Sequence, residues 1–363
     1  MAVGARLHVA VLMGGTSAEH DVSICSGLNV VDALDVDRFE PIPVTIDRAG
    51  TWRFGVRPAV PSLATAPGQV PVFKAGESAA GVPSASATTT GAFERLRPDQ
   101  GIDVVFIALH GPGGEDGTVQ GMLELAGIPF TGSGVLASAL AMDKALTKRL
   151  LRSAGMPVAA DVLVPATALD SHEQLQERIE TIATDLGLPC VVKPVTGGSS
   201  LGTRVVRASE ELEPALRAAL HEDTRAMAEE LLSGTEVTCG VLGGGTQPAE
   251  ALPLTEIVPV GGEFFDFHAK YTVGACDEIT PARVPEATVQ RVQELALLAH
   301  EILGCEGMSR SDFILCPHGP VFLETNTVPG LTQTSLLPQA AAVAGIDFPQ
   351  LVERLIWLAL HRC

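Results

Sequence analysis

The chain has 363 residues, 46% of them hydrophobic, and a formal net charge of −19 at pH 7. That length suffices for two or three domains, each with its own core. The negative charge excludes a general affinity for nucleic acid, which needs basic surface, and no apolar run approaches the ~20 residues of a membrane span, so neither nucleic acid nor membrane is expected as a partner.

In chain order, residues 7–13 (LHVAVLM) read as a buried strand. The residues before them lack a long apolar region with a small-residue cleavage site, so no secretion signal is expected. GGTSAEHD follows, then a helix-compatible run over 22–33 and a second strand in FEPIPVTID. Residues 56–101, rich in Pro, Ala, Gly, Ser and Thr, read as a long surface insertion. IDVVFIALHG is a strongly apolar strand ending in a glycine-rich turn. Strands alternating with helices imply a parallel sheet covered on both faces.

Residues 135–154 have helical spacing, ended by Gly155 and Pro157. LPCVVKPV is a buried strand carrying one lysine, TGGSSLGT a loop, and 209–221 a helix. MAEELLSGTEVTCGVLGGG gives a strand, a turn and another strand; a helix spans about 287–303. SDFILCPHGPVFLETN reads as a β-hairpin, and FPQLVERLIWLAL closes the pattern as an amphipathic helix. The seven cysteines are odd in number, irregularly spaced and without a Cys-x-x-Cys pair. Free thiols in a reducing cytoplasm are therefore expected rather than disulfides or a zinc site.

Three stretches carry residues suited to chemistry. In GGTSAEHDVS, Glu19 stands at the opening of a helix, where free backbone N–H groups favour anions. Taken alone, the same residues read more simply as an ordinary capped helix with Thr16 or Ser17 as the cap. Neither a G-x-G-x-x-G fingerprint nor a P-loop is present, position 116 of HGPGGEDG being Asp. In VVKPVTGGSSLG, Lys193 lies inside an apolar strand and needs an anionic partner. The glycines and serines after it can close over phosphates, although an edge-strand lysine before a flexible turn fits too. In SRSDFILCPHGPVFLETN, Asp312 lies on one hairpin strand, and Glu324 and Asn326, two apart on the other, share a face. Three hard oxygen donors on one face suit Mg²⁺, and Arg310 projects from that face as well. Ser335 and Leu336 open a further helix, whose start can receive a carboxylate. Lys144 sits in a helical run, where a solvated lysine is the default. Tyr271, the only tyrosine, lies in FFDFHAKYTVGACDE among few apolar neighbours.

In this order, GGTSAEHDVSICSG, LHGPGGEDGTVQGMLELAGIPFTGSGVLASALAMDK, VVKPVTGGSSLG, HAKY, SRSDF and LETNTVPGLTQTSLLPQAA resemble the signatures of the D-alanine–D-alanine ligases of the ATP-grasp superfamily. The resemblance covers nearly the whole chain. It implies a three-domain fold of α/β and α+β parts: an N-terminal Rossmann-like parallel-sheet domain (1–132), and central (133–233) and C-terminal (234–363) ATP-grasp subdomains. It implies ATP-dependent ligation of two D-alanines for peptidoglycan precursors, with two Mg²⁺ or Mn²⁺ ions, in a cytoplasmic homodimer. Lys144, Lys193 and Lys270 then match phosphate-contacting lysines, and Ser200 lies in the phosphate loop. Glu229 and Leu232 match the border of the adenine, and Glu236 the ribose contact. Asp312, Glu324 and Asn326 match metal ligands. Glu19, Ser199 and Tyr271 match a triad anchoring the first D-alanine, with His110 near its carboxylate. Arg310 and the Gly330 N–H match an oxyanion site, and Ser335 and Leu336 the second carboxylate's site. A ligase for D-lactate or D-serine is an alternative, which Tyr271 disfavours, and a catalytically dead nucleotide-binding regulator is another.

Overall fold

The structure is a computed structural model, and it describes residues 6–61, 85–198, 201–259 and 276–362. The first part comprises β1 (Leu7–Gly14), α1 (His20–Ala33), β2 (Phe39–Ile46), β3 (Trp52–Phe54), β4 (Ala85–Ala87), α2 (Thr89–Arg95), β5 (Val104–Ile107) and α3 (Thr118–Ala126). Its sheet runs β4-β3-β2-β1-β5. The β1, β2 and β5 strands are parallel, and β3 and β4 add an antiparallel edge. Val9 through Met13 of β1 are fully buried, as expected of a central parallel strand covered on both faces. Part of the segment expected as a surface insertion belongs to this fold. The β4 strand pairs with β3, and Ala92 and Leu96 are fully buried. A Pro- and Ser-rich composition conceals such short elements, because their burial comes from the sheet they join.

The chain continues through α4 (Val135–Met142), α5 (Lys144–Ser153), β6 (Asp161–Pro165), α6 (His172–Asp185), β7 (Cys190–Pro194), β8 (Arg204–Val206), α7 (Leu212–Glu222) and β9 (Arg225–Glu230). These strands form an antiparallel sheet in the order β6-β9-β7-β8. The α6 and α7 helices cover it around Leu175, Ile182, Leu212 and Leu216.

The last part holds β10 (Thr235–Gly244), β11 (Gln247–Ala251), β12 (Thr255–Pro259), β13 (Cys276–Ile279), α8 (Glu286–Leu303), β14 (Glu306–Cys316), β15 (Gly319–Asn326), α9 (Leu336–Val343) and α10 (Phe348–Leu360). Its antiparallel sheet runs β13-β12-β10-β14-β15, with β11 also on β10. The α8 helix buries Val292, Leu295 and Ala299 against Val237, Phe313 and Phe322. The α10 helix turns back and places Leu351, Leu355 and Ile356 in the same core as β1 and β5. The third sheet's edge strand β15 meets the segment before β6, where Phe322 N donates to Pro157 O at 2.9 Å, beside a Val158–Phe322 bridge.

The hairpin of β14 and β15 contains a bulge. Asp312 pairs with Glu324, but Phe313 pairs with Phe322, so Leu323 has no opposite number. Strict alternation would put Phe322 and Glu324 on one face. The extra residue separates them, a usual effect of bulges beside functional sites. Phe322 packs edge-on against Phe313, with ring centroids 5.7 Å apart and planes at 78°, while Leu323 and Glu324 both face the cleft described below. Phe322→Ala is expected to cost about 3–5 kcal/mol, read from the denaturant midpoint. A cost under about 1 kcal/mol would show that the ring is not the packing element it is taken for.

Candidate active site

One continuous helix was expected over residues 135–154; the structure has two, broken at Asp143, whose backbone is extended. The Asp143 carboxylate accepts from Leu146 N at 2.9 Å and caps α5, and Arg225 donates to its other oxygen at 2.6 Å. The break puts Lys144 in the first turn of α5, not on a solvated face. Its ammonium donates to Gly197 O at 2.6 Å and lies 3.8 Å from the Glu324 carboxylate.

Residues four apart share a helix face, and α5 repeats its cations at that spacing. Below Lys144, the Lys148 ammonium is 2.9 Å from Glu229 and 3.4 Å from Asp161. Below that, Arg152 reaches Asp161 at 2.6 Å. Asp161 and Glu229 are directly opposed on β6 and β9, a like-charge pair that needs such cations. Lys193, on β7, forms an ion pair with the other oxygen of Glu229. Burial works against both charges. The Glu229 and Glu324 charges nevertheless raise the Lys193 pKa, and the Lys193 and Lys148 charges hold Glu229 below the ordinary carboxylate value.

A cleft opens between the second and third sheets, enclosing about 890 Å³ including its mouth. Lys144, Lys193, Gly197, Gly198, Asp312 and Glu324 line its polar end, and Val191, Leu201, Leu231, Leu232, Ile314 and Leu323 give an apolar slot; Glu229 and Glu236 also reach it. An apolar slot with cations at one end suits a flat base carrying phosphates. The loop after β7 is anchored by Thr196, whose N and Oγ1 both donate to Asp223, at 2.7 and 2.9 Å.

At the cleft floor, the bulged hairpin brings Asp312 opposite Glu324 and Arg310 opposite Asn326, so all four expected residues share a face. Arg310 donates to both Asp312 oxygens, at 2.9 and 3.0 Å, and Asn326 Oδ1 accepts from Val328 N at 2.9 Å. Two facing carboxylates and an amide oxygen are hard donors of the kind Mg²⁺ takes, so the donor set fits. In this structure Arg310 and Lys144 supply the counter-charge.

A second group of residues lies where the first sheet approaches this floor. Neither Thr16 nor Ser17 caps α1: Glu19 is its N-cap residue, without a side-chain cap bond. Ser17 instead donates to His110 O at 2.8 Å and accepts from Glu19 N at 3.2 Å. A Cβ on Gly111 would stand 2.8 Å from a Glu19 carboxylate oxygen, and one on Gly198 3.1 Å. Glu19 is thus held between the turn after β5 and the glycine loop after β7. His110, fully enclosed, contacts Ser26 Oγ at 2.8 Å and Val328 O at 3.0 Å; chiefly its burial lowers its pKa. Leu331 N donates to Ser26 Oγ at 3.3 Å, which draws the 328–335 loop in. There a Cβ on Gly330 would meet Ser335 Oγ at 2.8 Å. Ser335 accepts from Thr332 N at 3.1 Å, and Leu336 is the first residue of α9.

The sequence reading missed Lys148, Asp161 and Glu115. Glu115 Oε1 accepts from Gly111 N at 2.8 Å, whereas Oε2 is buried without a hydrogen-bond partner. Burial first, and then the Glu19 charge, push its pKa up to about 8. Lys148 alone left a signal, its spacing of four from Lys144. Ser199, Ser200, Lys270 and Tyr271 lie outside the described residues.

Residues 8–133 match the family described as D-ala D-ala ligase N-terminus, and residues 150–357 match D-ala D-ala ligase C-terminus. A D-alanine--D-alanine ligase of Syntrophobacter fumaroxidans is 43% identical over 358 residues, 98% of each chain. The solved D-alanine-D-alanine ligase of Coxiella burnetii has a TM-score of 0.75 at 28% identity, covering 98% of this chain and 94% of that one. VanG D-Ala:D-Ser ligase of Enterococcus faecalis gives 0.77 at 31% identity, covering 98% and 100%. With both halves of the family matched in order and full-length relatives at this identity, the chain belongs to the D-alanine–D-alanine ligase family and has its ATP-grasp architecture.

Proposed function

We propose that this chain joins two D-alanines into D-alanyl-D-alanine, using ATP, for peptidoglycan precursors. The observation that carries the reading is the cleft in which Asp312, Glu324, Lys144 and Lys193 meet an apolar slot. Relatives 40–43% identical along the whole chain support it. The carboxylate of the first D-alanine attacks the γ-phosphorus of ATP, ADP leaves, and an acyl phosphate forms. The amine of the second D-alanine then attacks the acyl carbon, loses a proton and expels phosphate.

Positioning and positive charge supply most of the help in phosphoryl transfer. Lys144 and Lys193 place ammonium groups at the phosphates, joined by Lys270 and the Ser200 loop. Leu232 and Glu229 border the adenine, and Glu236 takes the ribose. Asp312, Glu324 and Asn326 would hold Mg²⁺ or Mn²⁺, which when bound offsets charge on the phosphate oxygens. Glu19, with Ser199 and Tyr271, orients the ammonium of the first D-alanine, and His110 lies near its carboxylate. The Arg310 guanidinium and the Gly330 N–H face the oxyanion of the second step. Ser335 and Leu336, at the start of α9, receive the second carboxylate. The division at about 132 and 233, a homodimer and a cytoplasmic setting belong to the same proposal.

Purified protein with ATP, Mg²⁺ and D-alanine is expected to release phosphate and form the dipeptide, seen by mass spectrometry. Absence of D-alanine-dependent phosphate release would overturn the reading, and D-serine or D-lactate as competing acceptors test the related ligases. Arg310→Ala is expected to lower kcat by about 10²–10³-fold, and Glu324→Gln to abolish turnover; near-normal rates in either would remove that residue from the mechanism. Glu115, ordinarily ionised above 4.5, keeps its proton up to about 8 when folded. Its contribution to stability is therefore complete below 4.5 and is lost as pH rises to about 8. Glu115→Gln should flatten this part of the thermal midpoint's pH dependence, and equal slopes in the two proteins would mean that the buried acid is ionised throughout.

A further inference from the structure

Asp223 ends α7, and its carboxylate lies where the negative end of that helix disfavours an anion. It is ionised there nonetheless. Burial works against the charge, but hydrogen bonds, first from Thr196 N and Oγ1 and then from the N–H groups of Arg225 and Thr224, hold its pKa below the ordinary carboxylate value. Its two oxygens serve different neighbours. Oδ1 accepts from Thr224 Oγ1 at 3.2 Å and Arg225 N at 3.3 Å, an ordinary turn into β9. Oδ2 accepts both bonds from Thr196, 27 residues earlier, and the turn does not need it.

Thr196 stands between the two carbonyls that hold Lys144. Val195 O accepts from Lys144 N at 3.2 Å, and Gly197 O accepts from its ammonium at 2.6 Å. The turn before β9 reaches the same lysine from the other side. Arg225 donates to Asp143, the cap of α5, and Arg225 O accepts from Val195 N at 3.1 Å. These bonds close a ring through residues 143–144, 195–197 and 223–225. The far end of the glycine loop is seated separately: a Cβ on Gly202 would lie 3.0 Å from Pro194 Cγ and 3.1 Å from Glu222 Cγ. Leu201, which walls the apolar slot, therefore rests on a different support.

We propose that Asp223 is a positioning residue for the nucleotide's phosphates: through Thr196 it fixes Lys144 and the 197–198 end of the loop as one unit at the polar end of the cleft. This rests on the nucleotide reading of that cleft. Without the Asp223–Thr196 bonds, the carbonyls on either side of Thr196 are no longer held in register with Lys144. The base keeps its walls of Val191, Leu231 and Leu232. The loss therefore falls on the phosphates.

Binding of ATP and of adenosine, each titrated without D-alanine against the full-length protein, tests this. Thr196→Val removes the hydroxyl bond and leaves the turn at Oδ1 intact. It is expected to weaken ATP about three- to tenfold, the scale of one hydrogen bond, and to leave adenosine unchanged. Thr196→Ser, which keeps the hydroxyl, should retain most of the ATP affinity. Asp223→Ala removes both bonds and should weaken ATP about tenfold or more, again without loss of adenosine. Should Asp223→Ala fail to fold, the two Thr196 variants decide alone. Equal losses of ATP and adenosine in Thr196→Val, an ATP affinity that it leaves unchanged, or an equal ATP loss in Thr196→Ser would overturn the proposal. Failure of the wild type to bind ATP at all would instead count against the nucleotide reading. Normal ATP binding without D-alanine turnover would count against the ligase reading alone.

Discussion

Asp312 and Glu324 stand opposite each other at the floor of a cleft, and two facing carboxylates in partly excluded water repel. Much of the surrounding structure is an answer to that repulsion. Arg310, two residues along the same strand, closes on Asp312 through two hydrogen bonds. Lys144 approaches Glu324 from another sheet's helix, and it can do so because Asp143 breaks the chain there and is itself tied to Arg225. The α5 helix then carries the pattern downward, Lys148 meeting Glu229 and Asp161, and Arg152 meeting Asp161 again. Electrostatics of this kind seldom adds much stability. It fixes where each group stands, and a phosphoryl-transfer site needs fixed positions.

The first sheet is tied to the same floor by hydrogen bonds rather than by charge. His110 reaches Val328 and Ser26 reaches Leu331, so the loop carrying Gly330 and Ser335 is fixed by residues more than 200 positions earlier. The α10 helix adds apolar contact to β5 from the other end of the chain. The Glu19 carboxylate fits between two turns because Gly111 and Gly198 lack a Cβ.

Much of this was legible in the residues. The parallel strands, the hairpin, the shared face of Glu324 and Asn326, and the helix start at Ser335 all follow from local periodicity and turn chemistry. What was hidden depends on partners distant in the chain. Glu115 reads as one acid among several in a polar turn, and only the enclosing fold makes it a buried neighbour of Glu19. Lys148 looks like a surface lysine until β6 and β9 bring their acids beneath it. The break at Asp143 was hidden differently, because its flanking residues all favour a helix and the cap that ends the run is a single side chain. The Leu323 bulge is a property of two strands in register, and one strand's sequence cannot contain it.

That bulge also decides how the hairpin can fail. A plain two-stranded ribbon can slide by a residue and trade one pairing for another of similar cost. Here a one-step slide would carry the Glu324 carboxylate toward the ring of Phe313 and bring an aromatic ring into the cleft. Both errors are severe, and they occur together. The extra residue therefore acts as a parity lock: it separates the phase of the core from the phase of the site, and either one is kept only if the other is.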